Sequence, residues 1–85
     1  MYEWSKLDDR LVQAPLGDKL GAALEEILKH PRSGKPLREV LVGLWSYRIG
    51  KYQSIYRIER RQIDLIAFGP RDRIYEETYR LVARK

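Results

Sequence analysis

Residues 44–58, LWSYRIGKYQSIYRI, restrict the folding choices of this chain more than any other stretch. Two runs rich in β-branched and aromatic residues flank Gly50-Lys51. Such runs on either side of two residues, with glycine first, predict a β-hairpin closed by a type II′ turn. The turn fixes the register. Ile49 faces Tyr52, Arg48 faces Gln53 and Trp45 faces Tyr56. A second connection, Glu59-Arg60-Arg61-Gln62, leads into another apolar run. Strands are therefore expected over 43–49, 52–58 and 63–68. Across the second turn Arg57 is expected to face Asp64, Tyr56 to face Leu65 and Gln53 to face Phe68.

Alternation along these strands divides the side chains between two faces. Trp45, Tyr47, Ile49, Tyr52, Tyr56, Ile58, Ile63 and Leu65 make an apolar face that must be covered. Ser46, Arg48, Gln53, Arg57 and Asp64 lie on the other, among Leu44, Ile55, Ile66 and Phe68. That second face is too apolar to be wholly wet and too basic to be wholly buried. It calls for a partner, or for cover by the last helix.

The cover for the first face is expected upstream. Tyr2-Glu3-Trp4 carries a weak strand signal. Ser5-Lys6-Leu7-Asp8 can cap a short helix that carries Leu7, Leu11 and Val12 on one side. After Pro15-Leu16-Gly17, Asp18 caps a clearer helix over 19–30. Leu20, Ala23, Leu24, Ile27 and Leu28 are its apolar stripe. His30-Pro31 stops it, because the residue before proline leaves the α region. The pair reads as a helical hairpin packed on the sheet. Residues 31–38, PRSGKPLR, read as a loop. Gly69-Pro70 ends the sheet, and Asp72 caps a last helix carrying Ile74, Tyr75, Thr78, Leu81 and Val82. The expected fold is a single α+β domain over residues 1–85. A small antiparallel sheet lies against an N-terminal helical hairpin, with a short C-terminal helix.

Charge says more about partners than about fold. Residues 1–43 hold seven Lys/Arg and seven Asp/Glu, and residues 44–85 hold ten and five, so the whole excess of +5 lies in the second half. A basic half suits a polyanion or an acidic protein. Cysteine is absent, which excludes disulfides and thiolate metal sites. No apolar run reaches the roughly 18 residues of a membrane span, and the N-terminus does not resemble a signal peptide, so a cytoplasmic location without membrane contact is expected. The single histidine, His30, sits at a helix end, where it complements the helix dipole. Histidine-based nucleophile triads, glycine-rich phosphate loops and convergent carboxylate pairs are absent from the pattern, and no metal site or cofactor is expected. What remains is arginine and tyrosine. Arg48 and Gln53 are neighbours across the hairpin, Arg71 and Arg73 follow the third strand, and Tyr75 and Tyr79 share a helix side. Arginine forks match phosphates and aromatic rings stack on bases. The competing reading pairs Arg57 with Asp64 and Arg73 with Glu76 or Glu77, and packs the tyrosines.

The segments GKPLREVLVGLWSYRIGKYQSIYRI and IDLIAFGPRDRIYEET, in that order, resemble the RelE/ParE superfamily of toxin–antitoxin toxins. The match spans about residues 34–79. The resemblance implies a toxin neutralised by a small antitoxin with an acidic amphipathic segment. For RelE-like members it implies a ribosome-dependent, metal-independent endoribonuclease that cuts mRNA. For ParE-like members it implies inhibition of DNA gyrase by protein contact. A weakly active member is a third possibility. Carried over residue by residue, Arg48, Arg71 and Tyr75 take the catalytic positions. Lys51, Gln53, Arg73 and Tyr79 take substrate-contacting ones. Gln53 stands where the family usually has arginine, in the step after the hairpin turn.

Overall fold

The computed structural model describes residues 2–6 and 18–83. The sheet has five strands: β1 (Glu3–Lys6), β2 (Lys35–Pro36), β3 (Leu44–Ile49), β4 (Tyr52–Ile58) and β5 (Gln62–Pro70). Their order is β1-β5-β4-β3-β2. Strands β2 to β5 run antiparallel, and β1 runs parallel to β5, so the sheet is mixed rather than purely antiparallel. Two helices accompany it, α1 (Asp18–Lys29) and α2 (Arg71–Ala83).

The hairpin forms as its sequence requires. Ile49 pairs with Tyr52, Arg48 with Gln53 and Trp45 with Tyr56. Gly50 has φ 61° and Lys51 does not enter the left-handed region. Positive φ at the first turn position alone is the signature of type II′. Arg57 pairs with Asp64 and Tyr56 with Leu65. Beyond that point the register differs from expectation. Ile55 pairs with Ala67, so Ile66 is an extra residue in β5, and Gln53 lies opposite Gly69 rather than Phe68. A bulge of this kind turns every later side chain to the other face. Phe68 therefore joins the first face, stacked on Tyr52 with ring centroids 5.4 Å apart.

Both faces carry a core. On the first, Ala23 and Ile27 of α1 pack against Ile49, Phe68, Tyr56 and Ile63, with Trp4, Trp45 and Tyr47 at the margin. On the second, Ile74 of α2 packs on Leu44, Ile55 and Ala67, with Leu37, Leu41, Ile66 and Val82 around them. The second face is thus mostly closed by the chain's own last helix, and α2 is a layer rather than an appendage. Thr78 is buried there and returns its hydroxyl to the Ile74 carbonyl at 2.7 Å.

Of the helical hairpin expected at the N-terminus, the structure describes only the second helix, α1. Its first helix, with Leu11, Val12 and Leu7, falls outside the described residues. Ser5 lies in β1, and its hydroxyl donates to the Asp64 carboxylate of β5. Asp18 and Asp72 lie within the first turns of α1 and α2 rather than preceding them. The loop of residues 31–38 contains β2, two residues that extend the sheet beside β3. Among the described residues no helix is long and apolar enough to cross a membrane.

The loop before β2 is tied to the core by Tyr56. This side chain is fully buried, and its hydroxyl donates to the Pro31 carbonyl. Burial pushes the phenol up to about 12, and a backbone hydrogen bond from Gly34 opposes that in part. A raised folded-state pKa stabilises the fold below the unfolded value, near 10, and the benefit is lost as pH rises toward 12. Tyr56→Phe is expected to cost about 1–2 kcal/mol at pH 7 in urea unfolding. Wild type is expected to lose stability between pH 10 and about 12 more steeply than the variant.

Candidate functional site

The start of β4, the end of β5 and the first turns of α2 meet at one end of the sheet. An open cleft of about 560 Å³ lies there, lined by Lys35, Ser46, Arg48, Gln53, Arg71, Asp72 and Tyr75. Each residue arrives for a local reason. Arg48 and Gln53 are directly opposed across the hairpin, so their side chains share a face. Lys35 is opposite Ser46 by the same rule. Arg71 begins α2 immediately after Pro70, and its backbone N–H donates to the Lys51 carbonyl at 3.0 Å. That bond holds the start of α2 against the hairpin turn. Tyr75 is one helical turn further and lies on the same side as Arg71.

Gln53 is nearly buried, at 8% exposure, and its Nε2 donates to the Tyr75 hydroxyl at 2.8 Å. Opposite it in β5 is Gly69, which puts no side chain on this face. The amide therefore reaches the helix directly. Because Tyr75 accepts this bond, its own hydrogen stays available to a ligand. Tyr75 remains 40% exposed. Arg48 is exposed and keeps a long contact from Nε to the Gly50 carbonyl at 3.4 Å. Lys35, Arg48 and Arg71 place three cations around one carboxylate, Asp72, so the cleft is net positive.

Four of the seven expected site residues, Arg48, Gln53, Arg71 and Tyr75, are brought together here. Lys51, Arg73 and Tyr79 are exposed but do not line the cleft. Lys51 is at the hairpin tip, and Tyr79 lies a turn beyond Tyr75 on α2. Lys35 and Asp72 were not foreseen as lining groups. Lys35 arrives through a strand of two residues, too short to register as alternation. The expected pairing of Arg57 with Asp64 is present at 3.2 Å, with Glu59 adding a second contact at 3.1 Å. The Ser5 hydroxyl, and then Arg57, hold the Asp64 carboxyl below the usual range. Glu76 binds Arg80 at 2.7 Å rather than Arg73.

The family described as ParE toxin of type II toxin–antitoxin system, parDE, matches residues 1–75 of this sequence. The chain belongs to the ParE toxin family. This ParE-family chain is a toxin of a type II toxin–antitoxin system, as the order of motifs around the hairpin implied. It is similar to a chain of the toxin–antitoxin complex RelBE2 from Mycobacterium tuberculosis. Identity is 29%, the TM-score is 0.61, and the match covers 84% of this chain and 90% of that one. No curated protein sequence matches it.

Proposed function

We propose that this toxin is a ribosome-dependent endoribonuclease that cuts mRNA with protein groups alone. The observation that carries the reading is the cleft in which Arg48, Arg71 and Lys35 surround the Gln53–Tyr75 pair. In this reaction the RNA 2′-oxygen bonds to the adjacent phosphorus and the bond to the 5′-oxygen breaks. The products are a 2′,3′-cyclic phosphate and a 5′-hydroxyl. Arg48 and Arg71 grip the non-bridging oxygens and offset the charge that builds on them. Tyr75 gives its hydroxyl proton to the leaving 5′-oxygen, and Gln53 holds the phenol in place. Asp72 is the group in the lining suited to take the 2′-hydroxyl proton. The ribosome supplies what so small a cleft lacks, a strand held in the reactive geometry.

Gln53 replaces a cation with a neutral amide at the centre of this site. Catalysis is accordingly modest. Gln53→Arg is expected to raise the rate of ribosomal mRNA cutting, by up to about 10²-fold if the guanidinium reaches the phosphate. Truncated message on translating ribosomes, mapped by primer extension, is the readout. Silence of both wild type and Gln53→Arg sinks the nuclease reading.

Two observations favour a second reading. The matching family is the ParE family, and Gln53 is buried against Tyr75 rather than free to meet a phosphate. A toxin that blocks DNA gyrase by protein contact fits both facts. Inhibited supercoiling with intact message would mark that outcome. In either case the partner is a small antitoxin with an acidic amphipathic segment. The similar RelBE2 structure, a toxin–antitoxin complex, and the basic second half of this chain support it.

A further inference from the structure

A second basic cleft lies at the opposite end of the sheet. It measures about 630 Å³ and is lined by Tyr2, Leu28, Lys29, His30, Arg60 and Arg61. Three separate parts of the chain build it: the residue before β1, the C-terminal end of α1, and the turn between β4 and β5. The turn is fixed by two backbone bonds. Glu59 N–H donates to the Gln62 carbonyl at 2.8 Å, and Glu3 N–H donates to the Arg61 carbonyl at 2.9 Å. Both arginine side chains are exposed.

The electrostatics of this cleft are unbalanced. Among the described residues no carboxylate lines it. Glu59 and Asp64, the acids closest in sequence to the two arginines, are engaged with Arg57, and Glu3, exposed beside Tyr2, is not in the lining. Lys29 meets Glu25 at 3.1 Å, but both side chains are half exposed or more, so that pair contributes little. Lys29 has a local justification, since a cation favours the carbonyl end of a helix. Arg60 and Arg61 come from another element and have none. Among the described residues neither makes an ion pair. Like charges gathered in one concavity repel each other unless an anion enters.

We infer that this cleft is an anchor for the phosphate backbone of RNA, separate from the cleft that holds Tyr75. Arginine forks take phosphate oxygens two at a time, and the Tyr2 ring is beside them to stack on a base. An acidic helix fits less well. It needs an apolar seam to bury, and among the described residues Leu28 is the only aliphatic side chain in the lining. The two clefts lie at opposite ends of β4, whose seven residues span about 20 Å, so one phosphate cannot occupy both. The second anchor holds the RNA without touching the reacting atoms. The inference rests on the RNA-directed reading of this toxin but not on cutting.

The test uses the full chain and a short single-stranded 2′-O-methyl RNA, which lacks the nucleophile and cannot be cut. Binding is followed by fluorescence anisotropy over a salt series. Replacing both arginines (Arg60→Ala with Arg61→Ala) is expected to weaken binding at least about tenfold, and to lower the slope of log K against log salt by about 1.4. The lysine pair (Arg60→Lys with Arg61→Lys) is expected to keep the slope. Where ribosomal cutting is measured, the alanine pair raises KM and leaves kcat in place. A wild type that does not bind the RNA overturns the inference. So does an alanine pair with unchanged affinity and slope, or equal competition by polyglutamate at matched charge. If wild type binds RNA through these arginines but never cuts message, the anchor stands and the nuclease reading falls.

Discussion

Arg71→Ala is expected to lower ribosome-dependent mRNA cutting by about 10²–10³-fold while leaving the fold intact. The size follows from the place of the side chain. Arg71 is exposed and lines the cleft to which the proposed reaction assigns the phosphate. Its structural duty is carried by a different atom, the backbone N–H bonded to the Lys51 carbonyl. Truncation at Cβ removes the guanidinium and keeps that bond. Unfolding free energies of variant and wild type from urea titrations should agree within about 0.5 kcal/mol. Primer extension on translating ribosomes gives the rate. Cutting that survives the substitution, in a folded protein, would remove Arg71 from the chemistry.

Gly34→Ala is expected to be the most disruptive of the small-residue changes. A Cβ at this position would collide with the Ser46 carbonyl and the Tyr56 hydroxyl. The first is strand backbone and the second is fixed by its bond to Pro31, so neither can yield cheaply. The expected cost is roughly 2–4 kcal/mol, combining overpacking with a damaged buried hydrogen bond. For a domain of this size that lowers the melting temperature by about 10–25 °C. Lys35 is the next residue and lines the cleft, so activity should fall with stability. Gly21→Ala is the contrasting case. Nothing lies within 4 Å of its would-be Cβ, and it sits within α1. That change should stabilise by about 0.5–1 kcal/mol. Thermal melts of the two variants should therefore move in opposite directions.

The hairpin was legible because its signals are local. Alternation, strand propensity and a glycine-first turn all act within 15 residues, and they agree. That is why the pairing of Arg48 with Gln53, the centre of the candidate site, follows from the sequence alone. Arg71 and Tyr75 were legible through family resemblance and helix spacing. What escaped depended on distance. The parallel pairing of β1 with β5 joins residues about 60 positions apart and has no turn to announce it. Lys35 reaches the cleft through a strand of two residues, held by Tyr56 and Gly34 from outside its own segment. Burial of the second face by α2 could be posed as an alternative but not chosen, because helix α2 is polar over much of its surface. Among its residues 71–82 only Ile74 and Thr78 are fully buried.

The extra residue in β5 bears on how such a chain can change in length. Ahead of Ile66 the strand presents Ile63 and Leu65 toward α1, and after it Phe68 continues on that same side. Pairing the same sequence without this bulge would exchange inside for outside along the rest of the strand. Phe68 would be thrust under α2, and the glycine opposite Gln53 would be replaced by a neighbour. Loss of Ile66 itself should therefore be absorbed and keep Gln53 opposite Gly69, whereas one more residue in β5 would turn every later side chain over. In this strand the count of residues carries as much information as their kinds.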